Sequence, residues 1–172
     1  MKKLILLKLL ILFTLSCKSQ TNQLGVTDFS NIKINNFKLD EVLNTKGNRN
    51  SIESLFNTNF QVSNGNEPDY WIQFESPKYM LLFQDGRKSN LGAIENYQLT
   101  DFLIKDNSTS FSIKGVNIKI GDNISKLGNS NVLTYSDGRK EIVYKLGSQV
   151  IEIGFNQTTN LITKIKYVYY NF

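Results

Sequence analysis

The chain has 172 residues, 40% of them hydrophobic, with a formal net charge of +5, no histidine and a single cysteine. The absence of histidine removes the commonest general base and metal ligand, and one cysteine makes neither an intramolecular disulfide nor a cysteine–zinc cluster. No cofactor or metal is expected, and the length suits one ordinary domain or two very small ones.

Met1-Lys2-Lys3 is a short basic start, followed by a mainly apolar run from Leu4 to Leu15 with Lys8 inside it, and then Thr14-Leu15-Ser16-Cys17. At about 12 residues the run is too short for a bilayer, which takes roughly 20. A basic start, a short apolar core and a small residue before the cut form the pattern of an export signal. These residues resemble a bacterial lipoprotein signal peptide with its lipobox, although Thr14 stands where leucine is usual. The resemblance implies a signal peptide over residues 1–16, acylation of Cys17 and anchoring through more than one chain. Lys18 after the cysteine, in place of Asp, implies the outer membrane, at its periplasmic leaflet or the cell surface. Loss of Lys2, Lys3 and Lys8 leaves seventeen basic against fifteen acidic residues. With no long basic run remaining, no nucleic-acid partner is expected. Residues 17–30 are polar and read as a flexible tether.

Ile32–Leu39 reads as extended, and Asp40–Leu43 and Ser51–Phe56 as short helices around Gly47. Strands follow over Tyr70–Phe74, Tyr79–Gln84 and Ile94–Ile104, with Asn64-Gly65 as a hairpin turn. In the second half, Val116, Ile118 and Ile120 alternate with polar residues as a half-buried strand does. Ile124 and Leu127 then mark a short helix capped by Asp122 or Asn123 and stopped by Gly128. Leu133–Ser136 and Lys140–Leu146 flank Asp137-Gly138, a strong hairpin signal, and Val150–Asn156 and Leu161–Tyr170 complete a meander. In the last strand Leu161, Ile165, Tyr167 and Tyr169 share one face, and Lys164 and Lys166 the other.

The two halves align at an offset of 72, which lays Ile52–Asn59 on Ile124–Asn131 and Tyr79–Phe83 on Ile151–Phe155. Only about six of the thirty-two positions from Ile52 to Phe83 are identical, but the apolar pattern agrees nearly throughout. The expectation is an α+β fold of two tandem units, residues 31–106 and 107–172, each a short helix followed by an antiparallel meander, with the helices on one face of the sheet. Ile120-Gly121-Asp122-Asn123-Ile124 through Leu127-Gly128 resembles the opening of the units in outer-membrane assembly lipoproteins of the SmpA/OmlA (BamE-like) type. The doubled form resembles the beta-lactamase inhibitor protein family.

The chemistry left is modest. Glu67, Asp69, Glu75, Asp85 and Glu152 are the carboxylates weighed for a glycan hydrolase, which needs two of them about 5–9.5 Å apart in one cleft. Asp-Gly-Arg-Lys occurs at Asp85–Lys88 and Asp137–Lys140, out of register with the repeat. Aromatic residues exceed the needs of one small core, and Tyr and Trp suit interfaces. Tyr70, Trp71, Tyr144 and Tyr167 are the expected contacts of a sheet face that grips an envelope protein. The expected role is non-enzymatic binding or assembly. The alternative is an inhibitor-like module that plugs an enzyme cleft through Asn64–Asp69 or Asp137–Lys140. The aromatic end at Phe172 also resembles a barrel strand, but Lys164 and Lys166 would then face lipid.

Overall fold

The structure is a computed structural model that describes residues 21–65, 70–85 and 97–170. Cys17, residues 1–16 that were read as a signal peptide, Glu67 and Asp69 lie outside the described residues. So do Gly86, Arg87 and Lys88 of the first Asp-Gly-Arg-Lys.

The fold is α+β and mostly sheet. β1 (Asn22–Gln23) leads into α1 (Val26–Ser30), and β2 (Lys33–Ile34) and β3 (Phe37–Lys38) form a hairpin before α2 (Leu39–Asn44) and α3 (Arg49–Phe56). Four antiparallel strands follow: β4 (Gln61–Gly65), β5 (Trp71–Glu75), β6 (Tyr79–Asp85) and β7 (Tyr97–Ile104). A second hairpin, β8 (Phe111–Ile113) and β9 (Val116–Ile118), precedes a 3-10 helix at Ile124–Leu127. The chain ends in β10 (Val132–Thr134), β11 (Lys140–Leu146), β12 (Gln149–Phe155) and β13 (Ile162–Tyr169). One nine-stranded sheet runs β1-β11-β12-β13-β7-β6-β5-β4 with β10 also on β11, and a four-stranded sheet runs β3-β2-β8-β9.

Local chemistry explains the short elements. The Asn48 side chain accepts from Ser51 N at 3.0 Å to start α3, and Asn57 closes it in the left-handed region. Asn123 accepts from Ser125 N and Gly128 ends the 3-10 turn, as the sequence leads one to expect. Both lead-in segments are hairpins, not single strands. Lys114 and Gly115 turn the second with positive φ.

Thr21–Ser30, read as tether, belongs to the fold. β1 pairs in parallel with β11, the Asn22 side chain bonds the backbone of Asn131 and Val143, and Leu24 and Phe29 are buried. Two apolar residues look unremarkable in a polar stretch, but the rest of the chain supplies the pocket that takes them. Asn64 and Gly65 lie within β4, paired with Ile72 and Trp71, and so are strand residues and not the expected turn. In β13 it is Ile162, not Leu161, that is buried, because a bulge at Thr163 inverts the alternation there.

All three α-helices and the small sheet bury their apolar side chains on one face of the large sheet, in a single core cluster. Aromatic rings fill much of it. Phe56 stands 4.7 Å from Tyr79 and 5.9 Å from Phe102, and Phe60, Phe74 and Phe83 extend the chain of edge contacts.

Candidate functional site

The other face of the large sheet carries none of the described helices. Strand alternation selects its residues, and the register lines them up in rows. One row is Val143, Glu152, Lys166, Leu103, Met80 and Glu75, and the next is Lys145, Val150, Val168, Asp101, Leu82 and Gln73. Apolar and charged side chains are mixed along both, and the charges nearly balance.

At the β11–β13 end of this face lies a buried ionic cluster. Lys164 Nζ donates to Glu141 Oε1 at 2.6 Å and to Glu152 Oε2 at 3.1 Å. The Tyr135 hydroxyl donates to Glu141 Oε2 at 3.0 Å, and the Tyr170 hydroxyl to Glu152 Oε1 at 3.1 Å. All four carboxylate oxygens are therefore filled, which is what keeps such a cluster from destabilising the fold. Gly154 makes the first bond possible: it sits between Glu141 and Lys164 in the register, and Lys164 reaches across it. A Cβ on Gly154 would stand 3.2 Å from the Lys164 Cβ. Burial opposes the Lys164 charge, but the bonds and charges of the two glutamates outweigh it and raise its pKa. Burial, followed by the carboxylate partner, raises the pKa of Tyr135 and of Tyr170. Lys166 extends the charged patch through an ion pair with Asp101.

The four aromatic residues expected to grip a partner do not converge. Trp71 alone faces the helix-free side, half-buried, with its indole laid over Gly65, where any β-carbon would collide with the ring. Tyr70 packs against the core cluster. Tyr144 and Tyr167 are core residues, 3% and 2% exposed: the first shares a hydrogen bond of 2.7 Å with Ser130 Oγ, and the second packs on Phe29 of α1. Both pair with Ile151 of β12, which puts them on the face that the helices cover, so no surface role rests on them. Glu75 pairs with Lys105, while Glu152 is the one weighed carboxylate in the cluster. Sequence reasoning missed Glu141, Gly154 and Lys164. The available signal was a charged or side-chain-free residue at a strand position flanked, two residues away, by Val143, Glu152 or Lys166 on the same face. Among the described residues no group of acidic, cysteine or histidine side chains could hold a metal ion, and no helix is long and apolar enough to cross a membrane.

No family model and no curated protein matches this chain. Among solved structures, a cysteine-rich secretory protein from Staphylococcus aureus subsp. aureus Mu50 is similar at a TM-score of 0.39 and 11% identity, over 70% of this chain and 41% of that one. The chain thus spans less than half of that protein, and a similarity of this size carries no argument about fold or function.

Proposed function

We propose that this chain is a lipid-anchored, non-enzymatic binding module of the bacterial envelope, built of two tandem units, which holds a protein partner on the helix-free face of its large sheet. Three features support the duplication. Each half runs hairpin, helical segment and four-stranded meander, and the halves meet through equivalent strands, β2 with β8 and β7 with β13. Side chains 72 apart keep the same face, as Ile72 and Tyr144 do, or Leu81 and Ile153. The β6–β7 and β12–β13 pairs are also irregular at the same offset, between Leu82 and Phe83 and between Gly154 and Phe155.

The observation that carries the binding role is the first half of the helix-free face. Trp71, Met80, Leu82 and Leu103 are all half-exposed there, with Asp101, Lys166, Glu75 and Lys105 already paired. A mixed apolar surface with internally neutralised charge suits a protein better than a polyanion. A photo-crosslinking residue at Gln73 should capture one defined envelope protein from membranes, and Trp71→Ala with Leu82→Lys should abolish the adduct while the fold stays intact. An unchanged adduct would remove the reading. Intact-mass analysis of the mature N-terminus tests acylation of Cys17.

A further inference from the structure

The fold begins close to the residue read as the lipid anchor. Asn22, the first residue of β1, comes five residues after Cys17. At no more than about 3.6 Å per residue, that stretch spans at most about 18 Å. A domain of about 150 residues is about 40 Å across. Acyl chains on Cys17 would therefore hold the side of the molecule around Asn22 against the lipid. Asn22 lines a cleft of about 350 Å3 together with Lys114, which stands in the β8–β9 turn. Lys114 also lines the next cleft, of about 550 Å3, with Lys33 of β2 and Ser112 of β8. The outer face of the small sheet thus lies beside the point where the chain enters the fold.

That face is cationic, and its cations are unpaired. Ile34, Phe111 and Ile118 point into the core cluster, so Lys38, Lys33, Ser112 and Asn117, side by side in the register, point outward. Lys33 and Lys38 stand directly opposite one another across the β2–β3 pair, an arrangement of like charges that destabilises a sheet unless something neutralises it. Among the described residues, neither they nor Lys114 has a side-chain ion pair or hydrogen bond. The nearby carboxylates are turned to the backbone: Asp28 accepts from Gly25 N, and Glu41 from Lys38 N. The helix-free side of β11 to β13 is different. There Lys164 and Lys166 are paired with carboxylates, and Lys145 alone lacks an acidic partner. Unpaired lysines beside a lipid anchor match an anionic lipid surface, where a basic patch supplies a second attachment next to the acyl chains.

We infer that the outer face of the small sheet docks, through Lys33, Lys38 and Lys114, on anionic phospholipid headgroups of the leaflet that holds the anchor. The inference rests on the acylation of Cys17 proposed above. The small sheet and the helices cover one face of the large sheet, so this orientation turns the opposite, helix-free face around Trp71 away from the lipid, where a protein partner reaches it.

The test uses the mature protein purified from membranes and reconstituted in vesicles of three parts phosphatidylcholine to one of phosphatidylglycerol, with a spin-labelled headgroup lipid as quencher. The chain has one cysteine, and acylation consumes its thiol, so a cysteine introduced by Asn117→Cys or Gln73→Cys takes a fluorophore at a single place. Strong quenching at position 117 of the small sheet and little at position 73 of the helix-free face is the expected result. Molar salt, or vesicles of phosphatidylcholine alone, should reduce the contrast, because both remove the attraction of the lysines to the surface. One lysine near an anionic surface is worth about fivefold, so three bias the orientation by about a hundredfold. Lys33→Gln, Lys38→Gln and Lys114→Gln together should therefore bring the two positions to similar quenching while the protein stays in the vesicles. Intact mass separates the two readings. A mature chain without acyl groups overturns the anchor and this inference with it. An acylated chain quenched equally at both positions, or more at position 73, overturns this inference alone. So does a contrast that salt, neutral lipid and the lysine changes all leave intact. The lipid and salt dependence of the protein with its lysines in place decides the matter even if the triple variant folds poorly.

Discussion

The two bulges of the large sheet start from the same backbone device and end differently. In the β6–β7 pair the register skips Thr100, Phe83 is fully buried, and the Thr100 hydroxyl turns back to donate to Leu82 O at 3.2 Å. In the β12–β13 pair the register skips Thr163, which is exposed, and Phe155 remains half-buried. What covers them differs. Gly47, in the loop between α2 and α3, comes so close to Phe83 that a β-carbon on it would stand 3.4 Å from the ring. The corresponding segment of the second half is a single 3-10 turn at Ile124–Leu127. The position before the phenylalanine differs as well: Leu82 has a side chain to fill its face, and Gly154 has none. A bulge therefore re-aims side chains, but the layer above decides whether they join the core or stay partly exposed.

The largest expected contrast is between the two rings. Phe83→Ala should cost about 3–5 kcal/mol in urea unfolding, as truncation of a buried phenylalanine does. Phe155→Ala should cost less than about 1 kcal/mol, as changes at partly exposed sites do. Equal losses would mean that the second ring is core after all. Next comes Lys164→Met, which leaves Glu141 and Glu152 buried side by side without their cation and should cost about 3 kcal/mol. A loss near zero would show that the ionic cluster is not formed. Gly154→Ala should cost about 1–2 kcal/mol, since the added carbon crowds Lys164 and the bond to Glu141 must give. Leu82→Ala tests the same position in the first half and should be the milder change for charge and the harsher for packing.

The smallest effect is on the pH profile. Lys164, Tyr135 and Tyr170 all have pKa values raised by folding, from ordinary values of 10.5 for the lysine and 10.0 for the tyrosines. A group whose pKa is higher folded than unfolded contributes stability that is whole below its unfolded pKa and is lost as pH rises through the folded one. Thermal stability should therefore hold up to about pH 10 and decline above it. In Lys164→Met with Tyr135→Phe and Tyr170→Phe, the decline should be shallower. An identical alkaline limb in that variant would place the loss elsewhere.

Much of the local order was legible in residues alone. The helix start at Asn123, the stop at Gly128 and the Asp137-Gly138 hairpin depend on backbone chemistry within a few residues, and each appears in the structure. Strand alternation likewise separated Ile165 and Tyr167 from Lys164 and Lys166. The candidate site was far less legible. Tyr144 and Tyr167 looked like surplus aromatics because nothing in a strand tells which of its two faces a distant helix will cover.

The sequence by itself determined the available chemistry, most element positions and the alternation within each strand, because these depend on composition and on neighbours a few residues apart. Only the tertiary structure decided that Thr21–Ser30 docks on β11, that Trp71 and not Tyr167 stands on the helix-free face, and that Lys164 crosses Gly154 to Glu141. Each of those joins residues far apart in the chain, through register and packing between strands that no local pattern encodes.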